Sequence, residues 1–259
     1  MKKFLTVALA GVLAASMLFT GCSKKEESKV PDKLIVGTNA EFPPFEYMND
    51  KKQPDGFDIA MIKEIGKRMD KKVEIQNMEF KSLIGAMESN SINTIIAGMT
   101  KTKERQKSVD FSDSYYTSEN VVIVKKDKVN DFTSADSLAK QTVGTQKGSV
   151  QETIAKKQLS KASVVSLASN GEMINELKSG QIQAVVLEKA IAEGYIAQND
   201  DLTLASFNLK SDGSDAYAVA IRKGSDDLLK EINAVIKETK ESGKFDQWLK
   251  EASTYKQSK

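Results

Sequence analysis

The apolar positions change period repeatedly along the chain, and the changes mark alternating strands and helices. LIVG (34–37) is a short β-rich run, residues 59–69 space their apolar members three and four apart, VEIQ (73–76) alternates, 82–89 is helical, TIIAG (94–98) reads as a strand, and a helix start is read at Lys103. That βαβα order predicts a mainly parallel sheet with helices on its faces. A second alternating series runs from VVIVK (121–125) through SADSLAK, QTVGT, SVQETIAKKQL, ASVVSL, GEMINELKSG and IQAVVL (182–187) to KAIAEGYIAQ, and reads as a unit of its own. AYAVAIRKG (216–224) then supplies one more strand, and Asp226 to Glu241 an amphipathic helix with Leu228, Leu229, Ile232, Val235 and Ile236 on one face. The expected class is α/β. No internal repeat and no second long apolar span interrupts the pattern, which excludes a permease.

The first residues follow a different logic. Lys2 and Lys3 precede an uncharged stretch from Phe4 to Ser23, the basic and apolar regions of an export signal. Thr20 and Gly21 lead into Cys22, the one cysteine, in a pattern that resembles a lipobox, with Phe19 where leucine is usual. We expect residues 1–22 to be a lipoprotein-type signal, Cys22 to carry diacylglycerol, and the protein to sit at the cell membrane facing outward. An uncleaved anchor, for which about 20 apolar residues suffice, and an ordinary secretory signal remain open. The charged run SKKEESKVPDK reads as a tether over 23–32. Beyond Cys22 no internal disulfide is available, so stability must come from packing.

Charge and composition narrow the chemistry. Without Lys2 and Lys3, basic and acidic residues balance at 36 each, and they alternate in runs such as KETKESGK rather than clustering, which speaks for solvated helix faces and against nucleic acid. The chain has no histidine, which removes the Ser-His triad and histidine metal ligands together. No cofactor and no metal is expected.

Three segments, KLIVGTNAEFPPFEY (33–47), PDGFDIAMIKEIGKRM (54–69) and IIAGMTKTKER (95–105), resemble the first lobe of the extracytoplasmic amino-acid-binding proteins that serve ABC importers, solute-binding protein family 3, and the similarity runs on to about Trp248. The resemblance implies a two-lobed periplasmic-binding-protein-like fold of type II. Its first lobe would comprise 33–118 plus 218–259 and its second 119–217, with two hinge strands where the chain crosses near 118–124 and returns near 216–221. It implies a monomeric receptor that closes on a polar amino acid and delivers it to a permease and its ATPase.

A free amino acid presents a carboxylate, an ammonium and a side chain, so its site needs a fixed cation, a fixed anion and a third surface. Arg105 can hold a carboxylate through two parallel hydrogen bonds. Thr100, Gly98 and Met99 lie just past the strand TIIA, at the end where open α/β sheets bind ligands, although Thr100 also suits a helix cap and Gly98 a turn. In GTQKGSVQE, Ser149 and Val150 offer amides at a positive helix end, and Ser149 also suits a cap. Glu188 ends IQAVVLE where the family usually carries an ammonium-binding acid, commonly Asp. The resemblance assigns selectivity to Asn39, Phe42 and Phe80, with Gln146 and Glu41 close by. Asn39, where Asp is common, weakens the case for a strictly cationic ligand, so Arg, Lys, His, Gln and cystine all stay open. Phe45, Tyr47, Phe57 and Asp58 are assigned supporting roles. Rival readings are a ligand-sensing domain for a membrane signalling partner and a dehydratase-like enzyme that uses Glu188 as an acid.

Overall fold

A computed structural model of the chain describes residues 30–254 apart from 212 and 214. The export signal and Cys22 lie outside the described residues, and Val30 already packs half-buried against the core. Among the described residues no helix is long and apolar enough to cross a membrane.

Two five-stranded sheets carry the fold. In the first, Lys72–Asn77, Lys33–Thr38 and Thr94–Ile95 run parallel, and Ala220–Arg222 enters antiparallel between Thr94–Ile95 and Val109–Phe111. In the second, Ser163–Leu167, Thr142–Gln146 and Ala184–Glu188 run parallel, followed by the antiparallel Asn120–Lys125 and then Leu202–Leu209. A strand buried on both faces needs apolar residues at every position rather than alternate ones, and the sequence supplies them. Val121 and Ile123 join one core cluster while Val122 and Val124 join another, and Leu34 and Val36 face away from Ile35 in the same manner. The helices Phe57–Arg68, Asp226–Glu241 and Lys244–Ser253 pack together on the first sheet. Val150–Gln158, Asn170–Ser179 and Lys189–Ile196 flank the second.

AYAVAIRKG is two strands rather than one. Ala216–Tyr217 pairs with Tyr116–Thr117 in a two-stranded ribbon between the sheets, and only Ala220–Arg222 joins the first sheet. The helix expected at Lys103 is a single 3-10 turn, Arg105–Lys107, whose C-terminal neighbour Ser108 leads directly into Val109–Phe111. The chain therefore crosses between the sheets twice along one aromatic seam. Phe45 is fully buried, with its ring 4.8 Å from Tyr116, 5.2 Å from Tyr217 and 5.6 Å from Phe57. Phe57 continues to Phe245 at 4.5 Å, which ties the C-terminal helix to the same cluster.

Removing a fully buried ring costs about 3–5 kcal/mol through lost burial and the cavity left behind. Phe45→Ala should lower the free energy of unfolding, read by urea denaturation, by that amount. A loss under about 1 kcal/mol would show that the ribbon and the C-terminal helix hold together without it.

Candidate functional site

Four parallel strands end at one place. Lys33–Thr38 leads to Asn39, Thr94–Ile95 to Gly98–Thr100, Thr142–Gln146 to Gly148 and Ser149, and Ala184–Glu188 finishes on Glu188. The carboxyl ends of both sheets thus face the cleft between them, where open α/β folds place their ligands.

The cation is held from several directions. Arg105 Nη1 donates to the carbonyl and to the hydroxyl of Thr100, both at 2.7 Å, and its own N–H is capped by Thr102 Oγ1 at 3.1 Å. The guanidinium carbon lies 5.2 Å from the centre of the Phe80 ring, a cation–π contact. Nη2 reaches across the cleft to the Gly148 carbonyl at 3.2 Å. Burial lowers the Arg105 pKa to about 10, partly offset by Glu188, so the group stays charged at neutral pH. Around this edge lies a cleft of about 790 Å³ lined by both sheets' loops, from Lys101–Gln106 on one side and Gly148–Val150 on the other.

The anion faces it from the second sheet. Glu188 is 5% exposed, and burial raises its pKa to about 7 against the opposing effects of its own backbone amide, a hydrogen bond from Gln151 and the Arg105 charge. Gln151 is itself buried, and its Nε2 donates to Asn120 Oδ1 at 2.8 Å. The periodicity gives no sign that a first-turn glutamine of an amphipathic helix turns inward to support an acid.

The remaining candidates divide. Asn39 and Gln146 are both buried and meet across the cleft, Gln146 Nε2 donating to Asn39 Oδ1 at 2.8 Å while Asn39 Nδ2 donates to the Met78 carbonyl at 3.0 Å. Phe42 is buried beside Phe45 and Tyr217, and Phe80 is half-buried under Arg105. Thr100 is a support for Arg105 rather than a helix cap. Gly98 is glycine for conformational and packing reasons: its φ is +52°, a Cβ there would land on the Phe42 ring, and its N–H donates to Asp58 Oδ2 at 2.9 Å. Met99 turns its side chain into the core with Leu83, Met87 and Val109, so only its backbone remains near the cleft. The expected pair of helix-start amides is reduced to one. Ser149 N–H is engaged by the Gln146 carbonyl at 3.1 Å and its hydroxyl caps Glu152 N, which leaves Val150.

Beneath Gly98 lies an acid pair, of which the sequence reading names only Asp58, as support. Asp58 also accepts from Tyr115 Oη at 2.8 Å, and burial raises its pKa to about 6. Glu46 is fully buried against it, and burial, followed by the Asp58 charge, pushes its pKa well up. The loop that carries Thr100 is anchored on Asp58 of this pair.

Known proteins resemble this chain in sequence and fold over nearly its whole length. The model of the bacterial extracellular solute-binding proteins, family 3, matches residues 34–252. The chain belongs to that family. It is 34% identical to the arginine-binding extracellular protein ArtP of Bacillus subtilis over 96% of this chain and 97% of that one. It is 31% identical to the B. subtilis glutamine-binding protein GlnH over 97% and 98%. Among solved structures, the substrate-binding protein AbpA of Streptococcus pneumoniae bound to L-arginine superposes with a TM-score of 0.83 at 40% identity, covering 87% of this chain and 97% of that one. As a member of that family it is an extracellular solute-binding protein with the two-lobed type II fold, and the relatives it matches are amino-acid-binding proteins of transporters rather than enzymes.

A carboxyl whose pKa is raised on folding keeps a proton that the unfolded chain has released, so unfolding free energy falls as pH rises from about 4.5 to about 7 and stays low above that. In the ligand-free protein Glu188→Gln should remove about 3 kcal/mol of that decline, read by denaturant unfolding at pH 4.5 and pH 8. An unchanged profile would mean that Glu188 is not the titrating acid.

Proposed function

We propose that this family member captures a free polar L-amino acid, arginine first, by closing its two lobes on it. Arg105 takes the carboxylate together with the Val150 amide, Glu188 takes the ammonium with Gln151 steadying it, and the side chain extends between Phe42 and Phe80 toward Asn39 and Gln146. The lobes are 33–118 with 218–259 and 119–217, joined by the ribbon of Tyr116–Thr117 and Ala216–Tyr217. The protein acts as a monomer, held to the membrane by a lipid on Cys22, and hands its ligand to a permease driven by an ATPase.

The observation that carries the reading is the opposition of a buried acid and a held guanidinium at the carboxyl ends of two different sheets. Neither charge alone distinguishes an amino acid from a simple anion or amine; the two together do. The arginine-binding role of ArtP and the L-arginine bound in AbpA support arginine. The uncharged amides of Asn39 and Gln146 serve a guanidinium as acceptors and a carboxamide as both donors and acceptors, which keeps glutamine as the second ligand. An ancestral arginine-binding protein bound to glutamine, 36% identical with a TM-score of 0.80, is consistent with that overlap.

Truncating one partner of a buried charge pair typically costs 2–5 kcal/mol or more. Arg105→Ala should therefore weaken arginine binding by at least about 30-fold in a protein that still folds by circular dichroism, and Arg105→Lys should recover only part because it loses the two-pronged geometry. Affinity within about threefold of wild type in Arg105→Ala would reject the clamp.

Holding an ammonium requires ionised Glu188, whose pKa in the free protein is about 7. Below that pH, binding must first remove a proton, so affinity should rise up to about tenfold per pH unit as pH increases toward 7 and level off above it. Calorimetry between pH 5.5 and 8.5 reads this directly. A flat profile would remove Glu188 from the ammonium site.

A further inference from the structure

Away from Arg105 and Glu188, the two lobes meet at a second seam. Glu41, in the first-sheet lobe, sends its carboxylate to the N-terminus of helix Asn170–Ser179, where Oε2 accepts from Asn170 N at 2.9 Å. The Glu41 carbonyl accepts from Tyr195 Oη at 2.8 Å and from Asn170 Nδ2 at 3.2 Å. Next to it the backbones come so close that a Cβ on Gly194 would stand 2.9 Å from the Pro43 carbonyl oxygen. Asn170 is fully buried in this arrangement.

We propose that Glu41 is a closure latch, a positioning residue that stabilises the shut lobes by capping a helix of the opposite lobe, and not a contact of the amino-acid ligand. A helix N-terminus carries unsatisfied amides and partial positive charge, so an incoming carboxylate is stabilised there. Ser169 already caps this helix from within its own lobe through Glu172 N at 3.2 Å, which leaves the Asn170 amide for a partner from across the cleft. Such a bond exists only when the lobes are closed. It therefore adds to the affinity of every ligand equally, through the closed population rather than through recognition. The inference rests on the lobe-closure reading above.

The test measures arginine, histidine and glutamine binding to the intact protein and to its Glu41→Ala variant, with Tyr195→Phe as an independent change on the other side of the seam. A latch predicts that Glu41→Ala weakens every ligand that the wild type binds by a common factor of about 5 to 30, through faster dissociation with the association rate unchanged. Tyr195→Phe should weaken the same ligands uniformly by less. The melting temperature of the ligand-free protein should not move, which separates the effect from a general structural loss. Loss confined to arginine would place the carboxylate on the ligand and overturn the proposal, as would unchanged affinity for all. Wild-type protein that binds none of the three would overturn the functional reading and the latch together, whereas wild-type binding with an unaffected variant sinks the latch alone.

Discussion

The structure depends on holding a buried acid and a partly buried guanidinium opposite one another on separate lobes. Arg105 and Glu188 are carried by different sheets, and burial moves each toward neutrality, lowering the pKa of one and raising the other. Each charge lessens the cost of the other, but neither is fully compensated by it. A zwitterion placed between them supplies the missing carboxylate and ammonium, so the desolvation already imposed by the fold is offset by the ligand. On the proposed reading the site therefore favours a molecule with both charges, with a net affinity modest next to the gross Coulomb attraction.

Much of the remaining architecture serves that opposition. Thr100 and Phe80 hold the guanidinium from one lobe, while Gln151 and Asn120 brace the acid from the other. Below them, Asp58, with Glu46 buried beside it, anchors the Gly98–Thr100 loop through the Gly98 amide. The ribbon of Tyr116–Thr117 and Ala216–Tyr217 joins the lobes along the aromatic seam around Phe45. Helices pack against both sheets, and the ribbon is the paired segment between them.

The sequence made the sheets legible because both faces are buried: runs such as VVIV and TIIA have no other economical use in a chain of this composition. Helix Asp226–Glu241 was equally plain, its five named apolar residues lying on one stripe. Arg105 and Glu188 follow from strand-end position together with the family resemblance, and in the structure they lie within electrostatic reach of one another from different sheets. What escaped were contacts fixed only by tertiary approach. Periodicity does not turn Gln151 inward, pair Asn39 with Gln146, or send Glu41 to Asn170. Gly98 suits either a close ligand approach or a turn by sequence, and only the fold shows that the Phe42 ring fills one side of it and that the core takes the Met99 side chain. The division of AYAVAIRKG between two sheets escaped as well, because two short strands with two residues between them look like one apolar run.

The most direct test of the two-charge account compares L-arginine with two analogues on protein stripped of bound ligand: agmatine, which lacks the carboxylate, and the desamino acid of arginine, which lacks the ammonium. Calorimetric titration at pH 8 should show saturable one-to-one binding of arginine and a loss of at least about 30-fold for each analogue. Agmatine or the desamino acid binding as tightly as arginine would show that one of the two charges plays no part in recognition, and the account would fail at its centre.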